Sequence, residues 1–379
     1  MKRLVFLVVL AVFVGAMSVL YGQQTSSGEK SLEGTLKDLS KDAATSYVAP
    51  IVSGFGANLN SGWFHRAPHA TMFGFDLEFG IVGMGTFFKD EHKKFSASGV
   101  FQFDSSEVAV IMTNFDQANS TNAGYNSLSP AQKQQVRQAV FNQIRGADFT
   151  VGISGATIVG SKTDTVRASF SGKQFQAPNP LGGAPLTMNV PSSSVGLGVT
   201  GFLEEAKAIP LIAPQLTIGT FVGSQFTFRY LPSLDLEDFG KIKYFGFGIQ
   251  HNPGVWFGDI LPLDVSASFF TQTLEAGSVF KTTATAFGVN ASKRLGWGFL
   301  NLTPYAGFML ESSSMTFTYD YFIDTQAGKI PQKIEFELNG ENKSRITAGV
   351  SIKILIVNIN ADYNFSKYNS ASVGVMFII

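Results

Sequence analysis

The chain has 379 residues, and its 28 basic and 28 acidic residues give a formal net charge of zero. This balance argues against nucleic acid or another strongly anionic partner. Cysteine is absent, which excludes a disulfide framework and a lipid-modified N-terminal cysteine. Only 15% of the residues are charged, whereas 36 are Phe, more than one soluble core readily buries.

The N-terminus predicts export. Lys2 and Arg3 precede an apolar run over residues 4–20, which is the order of a secretory signal peptide. We expect cleavage after Gly22, with Ala16 and Ser18 as competing sites, so residues 1–22 form the signal peptide. An uncleaved anchor helix is the alternative, because the run is at the short limit for spanning a bilayer. No later apolar stretch is long enough for a helical span.

Residues 23–56 precede the first clear strand and are expected to form a periplasmic segment or a plug. Apolar residues at three- or four-residue steps predict a helix from about 31 to 48, namely Leu32, Leu36, Leu39, Ala43 and Tyr47. Pro50 and the glycines at 54 and 56 are expected to end this helix.

Strand-like alternation dominates residues 57–379. Successive side chains of a strand point to opposite faces, so each such strand has one apolar face and one small or polar face. The clearest row is Phe73, Phe75, Leu77, Phe79 and Ile81. Similar rows are predicted within 216–230, 263–269, 315–323, 346–354, 357–365 and 373–379. Strand-like segments also lie near 95–103, 107–113, 148–157, 164–171, 195–203, 241–250, 280–291 and 299–311.

The pattern predicts an all-β protein built on a transmembrane antiparallel β-barrel of about 12 to 14 strands. A soluble β-sandwich is the rival, but its water-facing side usually carries more Lys, Glu and Arg. In the barrel the polar faces line the lumen. The candidate lumen-facing polar residues are Asp76, Glu78, Arg229, Asp264, Asp320, Lys353, Asn358, Asn360, Asp362 and Asn364.

A long loop insertion over 114–147 interrupts the strands. Ser129 is a good N-cap, Pro130 suits the first helical position and Gly146 can end the helix. We therefore predict one helix inside this loop, presented outside the barrel or folded inward.

Motifs for chemistry are weak, and we expect no catalytic, cofactor or metal site. His65 and His69 are four residues apart, but Pro68 argues against the helix that would make them a metal pair. Asp76 and Glu78 share one strand face and could act as acid and base. Pairing with Arg or Lys from neighbouring strands is the favoured interpretation. Trp and Tyr near strand ends, Trp63 and Trp256 among them, are expected to form an interfacial girdle.

Several stretches carry a resemblance: Gly-Ile-Gln-His-Asn-Pro at 248–253 with Trp256 and 262–266, then 302–307, then 357–364. Together they resemble an uncharacterised family of outer-membrane β-barrels, a domain of unknown function of Bacteroidota-like bacteria, over about 50–379. The N-terminal segment is also distantly similar in placement to the hatch of long-chain fatty acid transporters. The resemblance implies a Gram-negative-type outer membrane but no activity. The chain ends in Ile379 where such barrels more often end in Phe, although Phe377 keeps the alternation.

Three functions are open at this stage. The first is a pore or transporter for small molecules, hydrophobic ones included. The second is a structural or adhesion barrel without transport, and the third is an outer-membrane hydrolase or acyltransferase. The expected partners are outer-membrane lipid, the barrel-assembly machinery during biogenesis and a small hydrophobic ligand.

Overall fold

The computed structural model describes residues 31–203, 206–236, 240–258, 262–277, 280–297, 299–325 and 328–379. The predicted signal peptide therefore lies outside the described residues. Among them the helices are α1 (Leu32–Asn60), α2 (Ser105–Ile111), α3 (Phe115–Ala118), α4 (Ala123–Asn126), α5 (Pro130–Arg145) and α6 (Gly254–Phe257). Within this part of the chain, no helix is both long and apolar enough to cross a bilayer.

The strands are β1 (Phe73–Phe87), β2 (Lys94–Phe101), β3 (Phe149–Ala156), β4 (Arg167–Phe170), β5 (Lys173–Ala177), β6 (Leu186–Val190), β7 (Ser193–Gly196), β8 (Ala208–Phe221), β9 (Ser224–Leu236), β10 (Gly240–His251), β11 (Asp264–Ala276), β12 (Phe280–Ser292), β13 (Leu295–Trp297), β14 (Leu300–Thr325), β15 (Gly328–Asn339), β16 (Ser344–Ile354), β17 (Val357–Phe365) and β18 (Ser370–Ile378). The chain divides into two compact units, Met1–Tyr47 with Glu91–Glu204 and Val48–Asp90 with Glu205–Ile379.

The second unit is a closed antiparallel barrel. Its hydrogen-bonded order is β1-β8-β9-β10-β11-β12-β14-β16-β17-β18, and the pairing of β18 with β1 closes the ring. Ten strands therefore close the barrel in the described residues, while β13 and β15 pair only with β14. The predicted fold class is confirmed, but the ring has fewer strands than the 12 to 14 expected.

The lower strand number has a local cause in the first unit. The strand-like segments between 95 and 203 alternate as barrel strands do, yet they form a separate sheet of order β2-β3-β4-β7. The predicted strand at 107–113 is wrong, because a helix begins there. Asp104 caps α2 and forms a reciprocal capping box with Glu107, which satisfies the first backbone N–H groups of the helix.

The first unit has its own core. Phe101, Phe149 and Phe170 lie within about 6 Å of one another, ring to ring. The helix predicted after Ser129 is confirmed as α5, with Ser129 as N-cap, a capping box to Gln132 and Gly146 as C-cap. The inserted region is larger than the predicted 114–147 loop, since this unit includes residues 91–204.

An apolar outer surface runs around the whole barrel. The predicted apolar faces of β1, β8, β9, β11, β16, β17 and β18 all point outward, and the alternate residues are buried or partly buried. Each of the ten barrel strands exposes large apolar side chains, including Phe79, Ile81, Ile218, Phe226, Phe245, Phe269, Phe287, Phe308, Ile346, Ile359 and Val375. The barrel sheet closes on itself, so the sandwich alternative is wrong.

One predicted face is reversed. The row Met315 and Phe317 was expected to face outward, but both side chains are buried. The reason is that β14 keeps one parity along its length, so these residues continue the inward row that includes Met309 and Glu311. Thr316 and Thr318, predicted to face the lumen, lie on the other side. The side chain of Asp320, further along the same strand, lies outside the described residues.

Helix α1 continues past the predicted stop at Pro50 and ends at Asn60. Its glycines serve close packing instead of ending the helix. A Cβ on Gly54 would lie 2.8 Å from the Ile209 side chain, and one on Gly56 would overlap Ser313. Contacts with the barrel wall therefore override the local helix-breaking signals.

Candidate functional site

The candidate site is the barrel lumen and the segment that fills it, residues 48–70, which we call the plug. It comprises the end of α1 and the chain that leads to β1. Polar contacts tie the plug to strands around the ring. Asn58 Nδ2 donates to Ile209 O at 2.7 Å, Ser61 Oγ lies 2.6 Å from Ser370 Oγ, and Ala67 N donates to Ser292 Oγ at 2.9 Å. The predicted N-terminal segment thus continues into the lumen beyond residue 56.

Arg66 is the centre of a largely buried charge cluster. Its guanidinium donates to Asp76 and Glu78, and its Nε lies 3.1 Å from Glu78 Oε1. His65 Nε2 lies 3.2 Å from the other oxygen of Glu78, whose side chain is fully buried. The two carboxylates face inward as expected, but their cation comes from the plug and not from a neighbouring strand. Held on Arg66, they are not arranged as an acid and a base.

Arg229 holds the next turn of the plug. Its guanidinium donates to Gly62 O at 2.5 Å and to Gln215 Oε1 at 2.9 Å. It also lies over the Trp63 ring, 4.2 Å from the ring centroid, a cation–π contact that is stronger when desolvated. The position of Trp63 corrects the sequence interpretation. This residue is 1% exposed, inside the lumen, and not part of an outer girdle.

A third arginine and a cluster of aromatic side chains also contact the plug. Arg345 donates to Asn60 O, and its Nε lies 3.1 Å from Glu311 Oε1. The ring of Trp63 stacks on Phe270 at 5.0 Å. A cluster of buried apolar residues surrounds this contact: Trp63, Phe64, Phe270, Ala286, Tyr305 and Met309.

The remaining predicted lumen residues form a polar row on β16 and β17. Asn358 accepts from Ser351 Oγ at 2.7 Å, and Asn364 accepts from Thr347 Oγ1 at 2.7 Å. Asp362 accepts from Ser372, Tyr305 and Asn364. Asn360 is buried against Gly374, and Lys353 is partly buried.

The end of the plug is fastened at the turn that follows β10. Asn252 Nδ2 donates to Pro68 O at 2.8 Å and lies 3.2 Å from Asp264 Oδ1. His69 Nδ1 lies 2.8 Å from Asp264 Oδ2. His65 and His69 therefore engage different carboxylates. No group of three metal-ligating side chains occurs in the described part of the chain.

A serine–histidine pair lies on the outside of the barrel. Ser224 Oγ is 2.9 Å from His251 Nδ1, and Trp256 Nε1 donates to His251 Nε2 at 3.1 Å. Because an indole N–H only donates, His251 Nε2 must be the accepting nitrogen and Nδ1 carries the proton. His251 then donates to Ser224 and cannot remove its proton. This pair is not arranged as a nucleophile and its base.

Sequence reasoning missed the side chains that tether the plug. Trp63 and Arg66 lie near Pro68 in a stretch that shows neither helical nor strand-like hydrophobic periodicity. Such a stretch indicates a loop. Arg345 was not singled out, although its parity with Thr347 and Ser351 places it on the inward face. That parity is the signal by which it could have been found.

A family model described as a family of unknown function (DUF6588) matches residues 1–379. No curated protein matches the chain. Among solved structures, the N-terminal β-barrel domain of Pseudomonas aeruginosa OprF is 15% identical, with 41% of this chain and 94% of that chain covered and a TM-score of 0.19.

Two further structures cover more of the chain. Salmonella typhi OmpF, in complex with daunomycin, is 9% identical over 81% of this chain and 97% of its own, with a TM-score of 0.21. The outer membrane protein OmpT of Vibrio cholerae is 8% identical over 81% of this chain and 100% of its own, with a TM-score of 0.19. Overlaps this low do not establish a common arrangement of strands.

Proposed function

Since the chain belongs to this family of unknown function (DUF6588), whose description assigns no activity, we propose a function from the geometry of the barrel. The protein is a plugged outer-membrane transporter for small molecules, hydrophobic ones included. The plug closes the lumen at rest and moves when a molecule passes. The observation that carries the proposal is the fastening of the plug by three arginines, the partly buried Arg66 and the buried Arg229 and Arg345.

The apolar belt supports the location in a membrane. Backbone polar groups within a bilayer must all be paired, and a closed barrel meets this requirement without a free edge. The exposed Phe, Ile and Val side chains on all ten strands then face hydrocarbon. Strands of 9 to 15 residues, such as β17 and β1, are long enough to span it. The exported N-terminus predicted from the sequence is consistent with an outer membrane.

The charged tethers support a plug that moves. A lumen that is filled permanently needs no buried ions, because well-packed apolar residues of similar volume are often equally stable or more stable. Buried ionic groups instead define one seated position and leave a hydrophilic wall when the plug departs. Asp76, Glu78 and Arg229 would line that wall, while Phe270 and Tyr305 would offer apolar contacts to a hydrophobic molecule.

A disulfide lock tests the proposal. The chain has no native cysteine, and the Oγ atoms of Ser61 and Ser370 lie 2.6 Å apart, so Ser61→Cys with Ser370→Cys places two thiols within bonding reach. We expect the oxidised double variant in liposomes to lose uptake of small solutes, because the plug is bonded to β18. Reduction should restore the wild-type rate. The measurement is uptake by proteoliposomes of a sugar and of an apolar fluorescent dye.

Each single cysteine variant is the matched control, since it carries the same substitution without the bond. Equal uptake by the locked and wild-type proteins would show that the plug is not the gate.

A second candidate function is a membrane anchor that displays the first unit. The observation in its favour is that residues 91–204, inserted between β1 and β8, form a compact unit with its own core together with the first part of α1. If the barrel is only an anchor, the same experiment should give a different result. Neither the wild type nor the reduced double variant would then transport either solute.

A further inference from the structure

A cleft of about 600 Å³ lies at the end of the barrel where β10 and β12 finish. It is lined by charged and apolar side chains, among them His69, Asp264, Phe257, Leu263, Lys293 and Arg294. From this combination we propose that the cleft binds an anionic amphiphile. Its headgroup, a phosphate or a carboxylate, would sit on Lys293 and Arg294, and its apolar chain on Phe257 and Leu263. The proposal rests on the membrane location proposed above, but not on transport.

The floor of the cleft is polar and fixed. Asp264 already contacts His69 at 2.8 Å and Asn252 at 3.2 Å. These contacts reduce the repulsion that its carboxylate would exert on an incoming anion. Asn252 Oδ1 also accepts from Gly254 N at 2.9 Å, which holds the turn after β10 in place. The Nε2 atom of His69 is buried and has no hydrogen-bond partner among the described residues. Because Nδ1 donates to the Asp264 carboxylate, Nε2 carries a hydrogen only in the imidazolium form, in which it can donate to a headgroup oxygen.

The cationic side of the cleft comes from the turn after β12. Lys293 and Arg294 are adjacent and exposed. The planar guanidinium of Arg binds phosphate or carboxylate through two parallel hydrogen bonds, and the ammonium of Lys adds a compact charge. Two such groups side by side form a recognition set for one anionic group.

The apolar side of the cleft continues to the outer belt. Phe257 and Leu263 are 70% and 40% exposed, respectively. Beside Phe257, Trp256 donates to His251, which follows the outward row of Phe245, Phe247 and Ile249 on β10. Trp favours the boundary between headgroups and hydrocarbon, because its ring is apolar and its N–H is polar. The cleft therefore opens at the depth where a lipid carries its charge.

The experiment compares phosphatidylglycerol and phosphatidylcholine with the same acyl chains. Retention of each lipid by the full, detergent-purified protein is measured by native mass spectrometry. Two cationic side chains near a lipid surface should favour the anionic lipid by roughly 10- to 30-fold. Lys293→Gln with Arg294→Gln is expected to remove that preference. Lys241→Gln with Lys243→Gln is the matched control, because it removes two exposed charges at the start of β10, remote from the cleft.

Two further probes identify the source of the anionic group. Oleate that displaces phosphatidylglycerol from the wild type supports an anionic amphiphile with either headgroup. Inorganic phosphate that displaces it at the same concentration would overturn the proposal, because the apolar chain would then contribute nothing. Equal retention of the two phospholipids by the wild type, or an unchanged preference in the Lys293 and Arg294 variant, would also overturn it.

Discussion

Replacing Arg66 with methionine is expected to unseat the plug. The substitution leaves Glu78, whose side chain is fully buried, and its neighbour Asp76 without their cation. Removing one partner of a buried ion pair costs about 3–5 kcal/mol, so the unseated population should rise by roughly 100-fold or more. A Ser61→Cys background reports this change, because a thiol reacts with maleimide only when the plug has left the wall. The measurement compares the maleimide labelling rate of Ser61→Cys alone with that of Ser61→Cys carrying Arg66→Met.

The control for this result is Arg137→Met in the same background. Arg137 also pairs with a carboxylate, Asp116, at 2.6 Å, but both side chains are substantially exposed. An exposed ion pair contributes only about 0–1 kcal/mol, so labelling of the Ser61→Cys thiol should hardly change. Adding Asp76→Asn and Glu78→Gln to Arg66→Met should restore part of the protection. An unchanged labelling rate in Arg66→Met alone would show that the charge cluster does not hold the plug.

Replacing Val375 with lysine is expected to weaken insertion of the barrel into a bilayer. Val375 lies near the middle of β18, is 43% exposed and pairs with Ile81 and Ile359, which are also outward and apolar. A lysine facing lipid at the midplane costs about 2–4 kcal/mol. The measurement is the free energy of unfolding from liposomes, taken from reversible urea titrations.

The matched control for Val375→Lys is Val110→Lys. Val110 is 69% exposed on α2 in the first unit, outside the barrel sheet. A surface substitution of that kind should change the free energy by no more than about 0.5 kcal/mol. Similar losses for the two lysines would mean that the belt has no special relation to lipid.

The strand faces could be predicted from the sequence because alternation is a local property. Ile346 and Ile359 are outward, as expected, since each strand imposes a period of two whatever surrounds it. The number of barrel strands could not be predicted in this way. A segment such as 148–157 alternates equally well, but alternation does not say which sheet the strand joins, and β3 pairs with β2 in the first unit.

The plug could not be predicted from local sequence patterns either, because tertiary contacts determine its conformation. Pro50 and Gly54 carry strong helix-ending signals, and only the barrel wall around them keeps α1 continuous. The role of Arg66 depends on Asp76 and Glu78, which lie 10 and 12 residues further along the chain. No helical or strand-like period links Arg66 to them. For Met315 the local pattern was misleading. Its apolar row predicted an outward, lipid-facing side chain, but Met315 lies an even number of residues after the inward Met309 on the same strand and therefore also points inward.

The membrane location can be tested by measuring which side of β17 contacts lipid. The chain is free of cysteine, so single cysteines at 358, 359, 360, 361, 362 and 363 can each carry an environment-sensitive fluorophore in liposomes with brominated lipid. We expect strong quenching at 359, 361 and 363 and little at 358, 360 and 362, following the exposed and buried residues of the strand. Uniform quenching along the strand, or none at the exposed positions, would contradict a barrel whose outer surface is solvated by lipid.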